Sequence, residues 1–473
     1  FFLYCRVLKT DPICCFKKIT IEFEGVDLNL SKISKSYLKT KNHKKLKKMP
    51  RRNKKGGKGR LGDSNSEDES YNDNVSVYSY ASDNAPSSVN DCDELSSNER
   101  YEERFIQALE NATEKSAQTR TLALQSICEI LMHRYMPDFV DDRKVTLIDC
   151  IEKSIRRGKG AEQAWGARLA PLLVLQLGGD ETISKTLNQF LLTTVQDKSV
   201  TFDARAKCCT ALGLLNFFGG EDIGDLLTLM QCFESIFSGS YLKADDKVPI
   251  SVSTEASTLH AEALSAWGLL LTLIPPGDFV AWMTSGQPVL PSFKKIMGLL
   301  QSPHLDVRMA AGETLALILE CGRSHDEEFL EDYLIDLIDM VKQLATDSHK
   351  YRAKRDRKAQ RATFRDVLRY LEDDILPEIT IRFGSECLVL DSWAIHHQYS
   401  ALCVVMGPGM TNQLQENDFI RDIFGLGSKV NTMNGSAKVK ASKLERHLLN
   451  AAAFKARTIS RGKNRDKRSA VLT

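Results

Sequence analysis

The chain has 473 residues, 42% of them hydrophobic and 27% charged, and a net charge of only +2. That length suits two or three domains, and that apolar content can fill a core. No apolar run approaches the roughly 20 residues of a membrane helix, and the cysteines form no C-x-x-C pair. This argues against a membrane span, a zinc knuckle and a disulfide framework.

The sequence begins with Phe1, and its first methionine is Met49. Residues 1–48 show little periodicity beyond a short strand pattern at 19–23, and they are read as a doubtful upstream segment. Residues 49–100 are expected to be disordered, basic at first and then Ser/acidic. Lys44–Lys58 reads as a basic run of nuclear-localisation type, and from Met49 onward Arg51, Arg52, Lys54, Lys55, Lys58 and Arg60 remain. Residues 62–98 are too polar to offset the entropy of ordering.

From 101 to 374 the chain keeps a helical period. Arg followed by Ala and Leu recurs at Arg120, Arg205 and Arg308, with weaker copies at 161–178 and 258–274. Amphipathic helices follow each start, at 143–155, 183–195, 223–237, 289–300 and 329–344. A recurrence of about forty to fifty-five residues fits armadillo or HEAT repeats. Such helix pairs bury their faces only by stacking, and the stack is expected to expose an extended groove. Pro275-Pro276-Gly277 is read as a break between units.

Residues 375–430 read as a small module. Ile379, Ile381 and Phe383 alternate as in a strand, Gly384-Ser385-Glu386 turns, and 387–390 is apolar, which predicts a hairpin. Helices are predicted at 392–406 and 418–424, with a hard turn at Gly407-Pro408-Gly409. Residues 431–473 form a linker, then a helix opened by the capping pair Ser442 and Glu445, then a basic tail. The predicted fold class is all-α: an armadillo/HEAT-like α-α superhelix with a small α+β C-terminal module and a basic C-terminal helix.

The near-zero net charge hides segregation. Residues 350–369 carry nine Lys/Arg against Asp356 and Asp366, and 438–468 carry eleven against Glu445 and Asp466. Phe364, Val367, Leu368 and Leu371 mark an apolar face on the first helix. Arg357, Arg361, Arg365 and Arg369 step by four into a second, basic stripe, with positions roughly 6 Å apart along the axis. Guanidinium forks suit phosphate oxygens. The candidate RNA-binding residues are therefore Arg352, Lys354, Arg357, Lys358, Arg361, Arg365 and Arg369, with Lys443, Arg446, Lys455, Arg457, Arg461, Arg465, Lys467 and Arg468.

No catalytic constellation is present in the sequence. The glycines around Lys55 lack the strand and helix of a phosphate loop. His396-His397 has no completing ligands, so a satisfied structural role is expected, with no metal and no cofactor. Asp141-Asp142 and Asp373-Asp374 read as helix-end charges.

Two stretches together are similar to the interferon-related developmental regulator family. One is 351–369, with Arg361-Ala-Thr-Phe-Arg-Asp-Val-Leu-Arg369. The other is 442–468, with Ser442-Lys-Leu-Glu-Arg-His-Leu-Leu-Asn-Ala-Ala-Ala-Phe-Lys-Ala-Arg457. Ser240-Tyr-Leu-Lys243 and Arg308-Met-Ala-Ala-Gly-Glu-Thr-Leu-Ala316 share the resemblance. It implies an armadillo-like domain, a short C-terminal domain and no enzymatic activity. The family is described both as transcriptional co-regulators and as factors on idle ribosomes, with the C-terminal helix in the mRNA path. The expected function is non-enzymatic regulation of gene expression by binding ribosomes or structured RNA and repressing translation. The alternative is a nuclear transcriptional co-regulator, partnered with other co-regulator proteins, whose groove scaffolds chromatin-modifying complexes in differentiation. Cytoplasmic and nuclear location, no membrane and no small-molecule substrate complete the expectation.

Overall fold

A computed structural model describes residues 91–219, 222–243, 248–285, 289–346 and 353–429, with side chains from residue 99 onward. Helices dominate it. In chain order they are α1 (Asp91–Asn111), α2 (Ala117–His133), α3 (Pro137–Asp141), α4 (Lys144–Arg157), α5 (Ala161–Gln176), α6 (Glu181–Gln196), α7 (Phe202–Gly219), α8 (Ile223–Phe237), α9 (Thr254–Leu271), α10 (Pro276–Thr284), α11 (Phe293–Gly298), α12 (Leu305–Arg323), α13 (Leu334–Thr346) and α14 (Lys354–Asp373). A hairpin of β1 (Ile379–Phe383) and β2 (Glu386–Leu390) follows, then α15 (Trp393–Met406), α16 (Met410–Glu416) and α17 (Asp418–Ile423).

The array has two layers. Helices α2, α5, α7, α9, α12 and α14 pack side by side in that order, and α1, α4, α6, α8 and α13 back them. Inner helices are buried nearly all round, as α5 is from Ala164 to Gln176. Outer helices bury one stripe, such as Leu147, Cys150, Ile151 and Ile155 on α4. Small residues let inner helices approach closely. A Cβ on Gly213 of α7 would lie 3.0 Å from Ala266 on α9.

The recurring arginines have one structural use. Each stands in the first turn of an inner helix and ties it to the carbonyls just before it. Arg120 donates to Glu114 and Lys115 at 3.0 and 2.9 Å, Arg205 to Val195 at 2.8 Å, and Arg308 to Ser302 at 2.7 Å. Arg120 also pairs with Glu162 at the start of α5, at 2.6 Å. Side-chain caps fix other helix starts: Asp180 accepts from Thr182 and Ile183, and Asp222 from Gly224 and Asp225.

Several boundaries differ from the sequence reading. The first helix begins at Asp91, inside the stretch assigned to the polar linker. The helix predicted at 289–300 starts only at Phe293, because Pro291 biases Leu290 toward extended backbone. The helix predicted from 329 starts at Leu334, after Leu330 turns through left-handed backbone with φ 58°. Phe329 there fills the space above Gly322, where a Cβ would lie 2.0 Å from its ring. Pro275-Pro276-Gly277 does not simply break the chain, since Pro276 is the first residue of α10. Proline is tolerated there because its missing N–H would have had no helical partner.

The C-terminal module overturns the expectation of an open groove. Asp374 ends α14 in left-handed backbone, with φ 53°. The hairpin follows, in register Ile379 with Leu390 through Phe383 with Glu386, and Gly384 supplies the positive φ its two-residue turn needs. The chain then runs back across the inner helices toward the first repeat. Glu320 of α12 accepts the N–H groups of Trp393 and Ala394, both at 2.8 Å. His397 bonds the Ser265 carbonyl of α9 at 2.7 Å, and Gln398 donates to Thr272 at 3.1 Å. Arg168 of α5 donates to Val405 at 2.8 Å, Gln413 to Leu131 of α2 at 2.9 Å, and Asn417 to Leu175 of α5 at 3.0 Å. Residues up to Gly427 thereby form one compact unit with the array, and this inner-layer face is occupied by the chain itself.

Candidate nucleic-acid interface

The described part of the candidate interface is α14, the last inner-layer helix. Its buried side is Phe364, Val367, Tyr370 and Leu371. Phe364 lies over Gly312 of α12, where a Cβ would come within 2.6 Å of its ring, so alanine at 312 would push α14 away. Buried Gln360 accepts from Arg308 at 2.8 Å and donates to the Leu344 carbonyl at 3.2 Å. Helix α14 is thus held by apolar contact and by a polar link to the last repeat. Lys342 of α13 adds an ion pair to Glu372, at 2.7 Å.

The basic stripe does not stay on one face. A step of four residues on a helix of 3.6 per turn advances by about 40°. The series Arg357, Arg361, Arg365 and Arg369 therefore winds from the buried side toward solvent. Arg357 and Arg361 are half-buried, while Arg365 and Arg369 are exposed. The Nε of Arg357 is shielded and has no hydrogen-bond partner among the described residues, and Arg361 returns its Nε to the Arg357 carbonyl at 3.2 Å. Lys354 and Lys358 lie on the exposed side with Arg365. Arg369 has Asp366 at 3.8 Å, three residues back on a partly open surface, a pairing worth little. Burial pushes the Asp366 carboxyl up, against the pull of Arg369.

The outward cationic group is therefore Lys354, Lys358, Arg365 and Arg369, with Arg361 on its flank. One further exposed cation of α14 escaped the sequence reading: Arg355, in its first turn. The charge count already included Arg355, but it falls outside the four-residue step. Arg352 and the candidates Lys443, Arg446, Lys455, Arg457, Arg461, Arg465, Lys467 and Arg468 lie outside the described residues, as does the Ser442 capping pair.

The other features singled out in the sequence are structural. His397 is buried on the Ser265 carbonyl and His396 bonds the Pro377 carbonyl at 3.0 Å. Burial pushes both imidazoles toward the neutral form. Among the described residues no group of three His, Cys, Asp or Glu is placed to hold a metal ion. Buried Cys128 and Cys208 have their thiols pushed up to about 12, so they behave as small apolar groups rather than nucleophiles. No described helix is long and apolar enough to cross a membrane.

Two family models match the chain: "Interferon-related developmental regulator (IFRD)" over residues 74–372 and "Interferon-related protein conserved region" over residues 417–469. The first spans the array through α14. The second begins at the Asn417 cap of α17 and runs into the basic C-terminal stretch. Interferon-related developmental regulator 1 of Mus musculus is 39% identical over 383 residues, covering 80% of this chain and 84% of that protein. The Homo sapiens protein of the same name is 39% identical over 80% of this chain and 83% of its own length. Interferon-related developmental regulator 2 of Mus musculus is 40% identical over 80% of this chain and 86% of its own. With both models matched and relatives of this identity aligned over most of their length, the chain belongs to the interferon-related developmental regulator family.

Proposed function

We propose that this protein is a non-enzymatic regulator of gene expression that binds ribosomal or other structured RNA through basic helices and represses translation. The observation that carries the reading is the division of α14. One side is fixed to the array by Phe364, Val367, Tyr370 and Leu371, and the other presents Lys354, Lys358, Arg365 and Arg369 to solvent. A rigid helix with cations on its open face is suited to phosphate oxygens. The basic stretch 438–468 supplies a second set of cations, and arginine-rich segments order themselves on structured RNA. The reading places the protein in the cytoplasm on ribosomes and also in the nucleus, with no cofactor.

The co-regulator alternative relied on an open solenoid groove, and the inner face is taken by residues 393–420. RNA binding is therefore the favoured reading. Sucrose-gradient sedimentation of cell extract tests it. The protein is expected with ribosomal particles, and its release is expected to rise steeply with salt as phosphate contacts are screened. Charge reversal at Arg446, Lys455 and Arg457, and separately at Arg365 and Arg369, identifies which set anchors it. Sedimentation with nuclear complexes alone, insensitive to both sets, would replace this reading with the co-regulator one.

A further inference from the structure

The C-terminal end of α9, the C-terminal half of α12, strand β2, the first turns of α15 and the end of α17 line a cleft of about 760 Å³. That is within the range of sites that take a bulky side chain or a small molecule. Its walls are mainly apolar, with Leu273, Ile274, Leu317, Ile395 and Phe424 among them. Two of its polar groups are engaged inside the fold: Glu320 accepts from two amides of α15, and the Thr272 hydroxyl accepts from Gln398. The cleft therefore selects an apolar group.

Strand β2 borders this cleft along its outer edge. Leu388 and Val389 both line it, although they point to opposite faces of the hairpin. In a two-residue hairpin the closing pair, Phe383 and Glu386, exchanges hydrogen bonds. Alternate residues of β2, Cys387 and Val389, therefore turn their N–H and C=O groups away from β1. Among the described residues no main-chain group bonds to them. Both residues are exposed, Val389 at 40%. The opposite strand has a neighbour, since α16 packs on β1. The β2 edge of the hairpin, open among the described residues, thus lies beside the apolar cleft.

The rim is acidic. Asp278 follows the proline wall at Pro275-Pro276, and Asp391 follows β2. Asp326, Glu327 and Glu328 follow Ser324, a lining residue, and His325 sits against Gly277, with 3.3 Å from its ring to a Cβ built there. All five acids are exposed. Such a rim repels phosphate and attracts lysine and arginine.

We propose that this cleft is a docking site for an extended peptide of a partner protein, which adds a third strand to β2. One bulky apolar side chain of the peptide enters the cavity, and Lys or Arg residues on either side of it meet the acidic rim. Main-chain bonds to Cys387 and Val389 supply affinity, and the pocket and rim supply selectivity.

Panning of a displayed heptapeptide library on the full chain tests this, followed by affinity measurement with the selected synthetic peptides. The expected consensus is a central Phe, Leu, Ile or Val flanked by Lys or Arg. Val389→Pro removes an outward N–H without touching the β1 ladder, and it is expected to weaken binding about tenfold. Leu273→Trp fills the cleft and is expected to abolish binding, and Asp278→Lys with Asp326→Lys to weaken it several-fold. Thermal melts of each variant separate lost docking from lost folding. N-methylation of alternate peptide amides is expected to abolish binding in one register and spare it in the other. The proposal is overturned if no cleft-dependent peptide is selected, or if selected peptides bind Val389→Pro and Leu273→Trp as well as the parent. It is also overturned if single-stranded RNA competes for the cleft, or if binding appears only after removal of residues 430–473, which would make the chain's own tail the occupant.

Discussion

Arg168 on α5 and Val405 on α15 are 237 residues apart, and the Arg168 guanidinium donates to the Val405 carbonyl at 2.8 and 3.3 Å. This contact fastens the returning C-terminal segment to the middle of the array. The same guanidinium reaches the Met132 sulfur at 3.3 Å and lies over the Trp165 ring. It therefore joins α2, α5 and α15. Arg168→Met keeps much of the stem packing and removes the charged donors. It is expected to cost about 1.5–3 kcal/mol, read as a lower midpoint in urea unfolding. A midpoint equal to the parent's would show that the returning segment is held without this bond.

Gly409 sits where the returning segment crosses the end of α2. A Cβ there would lie 1.9 Å from the Met132 carbonyl oxygen, a main-chain atom that cannot step aside cheaply. Gly409→Ala is expected to destabilise by about 3 kcal/mol or more, as strain and lost packing at 393–420. Faster proteolysis of the C-terminal module ahead of the array is the accompanying observation. Gly178, with no atom within 4 Å of its Cβ position, is the control for space, although its φ of 70° adds a smaller strain.

The winding of the basic series separates two kinds of arginine. Arg365→Glu with Arg369→Glu is expected to leave the melting temperature nearly unchanged, because exposed charges contribute little to folding. The same pair is expected to lower RNA affinity and to reduce the salt slope of binding by roughly 1.4–1.8. Arg357→Glu is expected to lower the melting temperature instead, since the site is shielded. Circular-dichroism melts and filter binding at several salt concentrations distinguish the two patterns.

His260 on α9 is held neutral. Burial pushes its imidazole down to about 4, helped by nearby Arg205 and His304, while its Nδ1 meets the Ser240 hydroxyl at 2.7 Å. The folded state resists a proton that the unfolded chain accepts below about 6.5. Stability is therefore full above that pH and falls as the pH drops from there to about 4. The expected loss from this group at pH 5 is on the order of 1–2 kcal/mol relative to pH 7.5. His260→Gln is expected to flatten the pH dependence of the urea midpoint in that window. An unaltered slope would assign it to His396 and His397, which shift in the same direction.

Much of the array was legible in the sequence because its signals are local. The apolar period from 223 to 237 returns as α8 over Ile223–Phe237, and the alternation at Ile379, Ile381 and Phe383 returns as β1. The recurring Arg/Ala/Leu starts fall on inner helices. Their arginines bond carbonyls just before them, so the signal repeats wherever the turn repeats. Helix α16 carried no such signal and was missed. It is a short helix following a Gly-Pro-Gly turn, and its key side chain, Gln413, spends its donors on the carbonyls of Leu131, Met132 and Arg134.

By itself the sequence determined that the chain is a helical repeat, that a hairpin and short helices follow, and that positive charge is concentrated in three blocks, at 35–60, 350–369 and 438–468. Each of these depends on residue type and on spacing within a few turns, where periodicity and composition act directly. Only the tertiary structure decided which cations face outward and what fills the inner face. The orientation of Arg357 depends on how far α14 rotates to seat Phe364 over Gly312. The closure of the inner face depends on Arg168, Gln413 and Asn417 reaching main-chain carbonyls that present no side-chain identity to read. A carbonyl is the same group at every residue, so bonds of this kind leave no pattern along the chain and are set by packing alone.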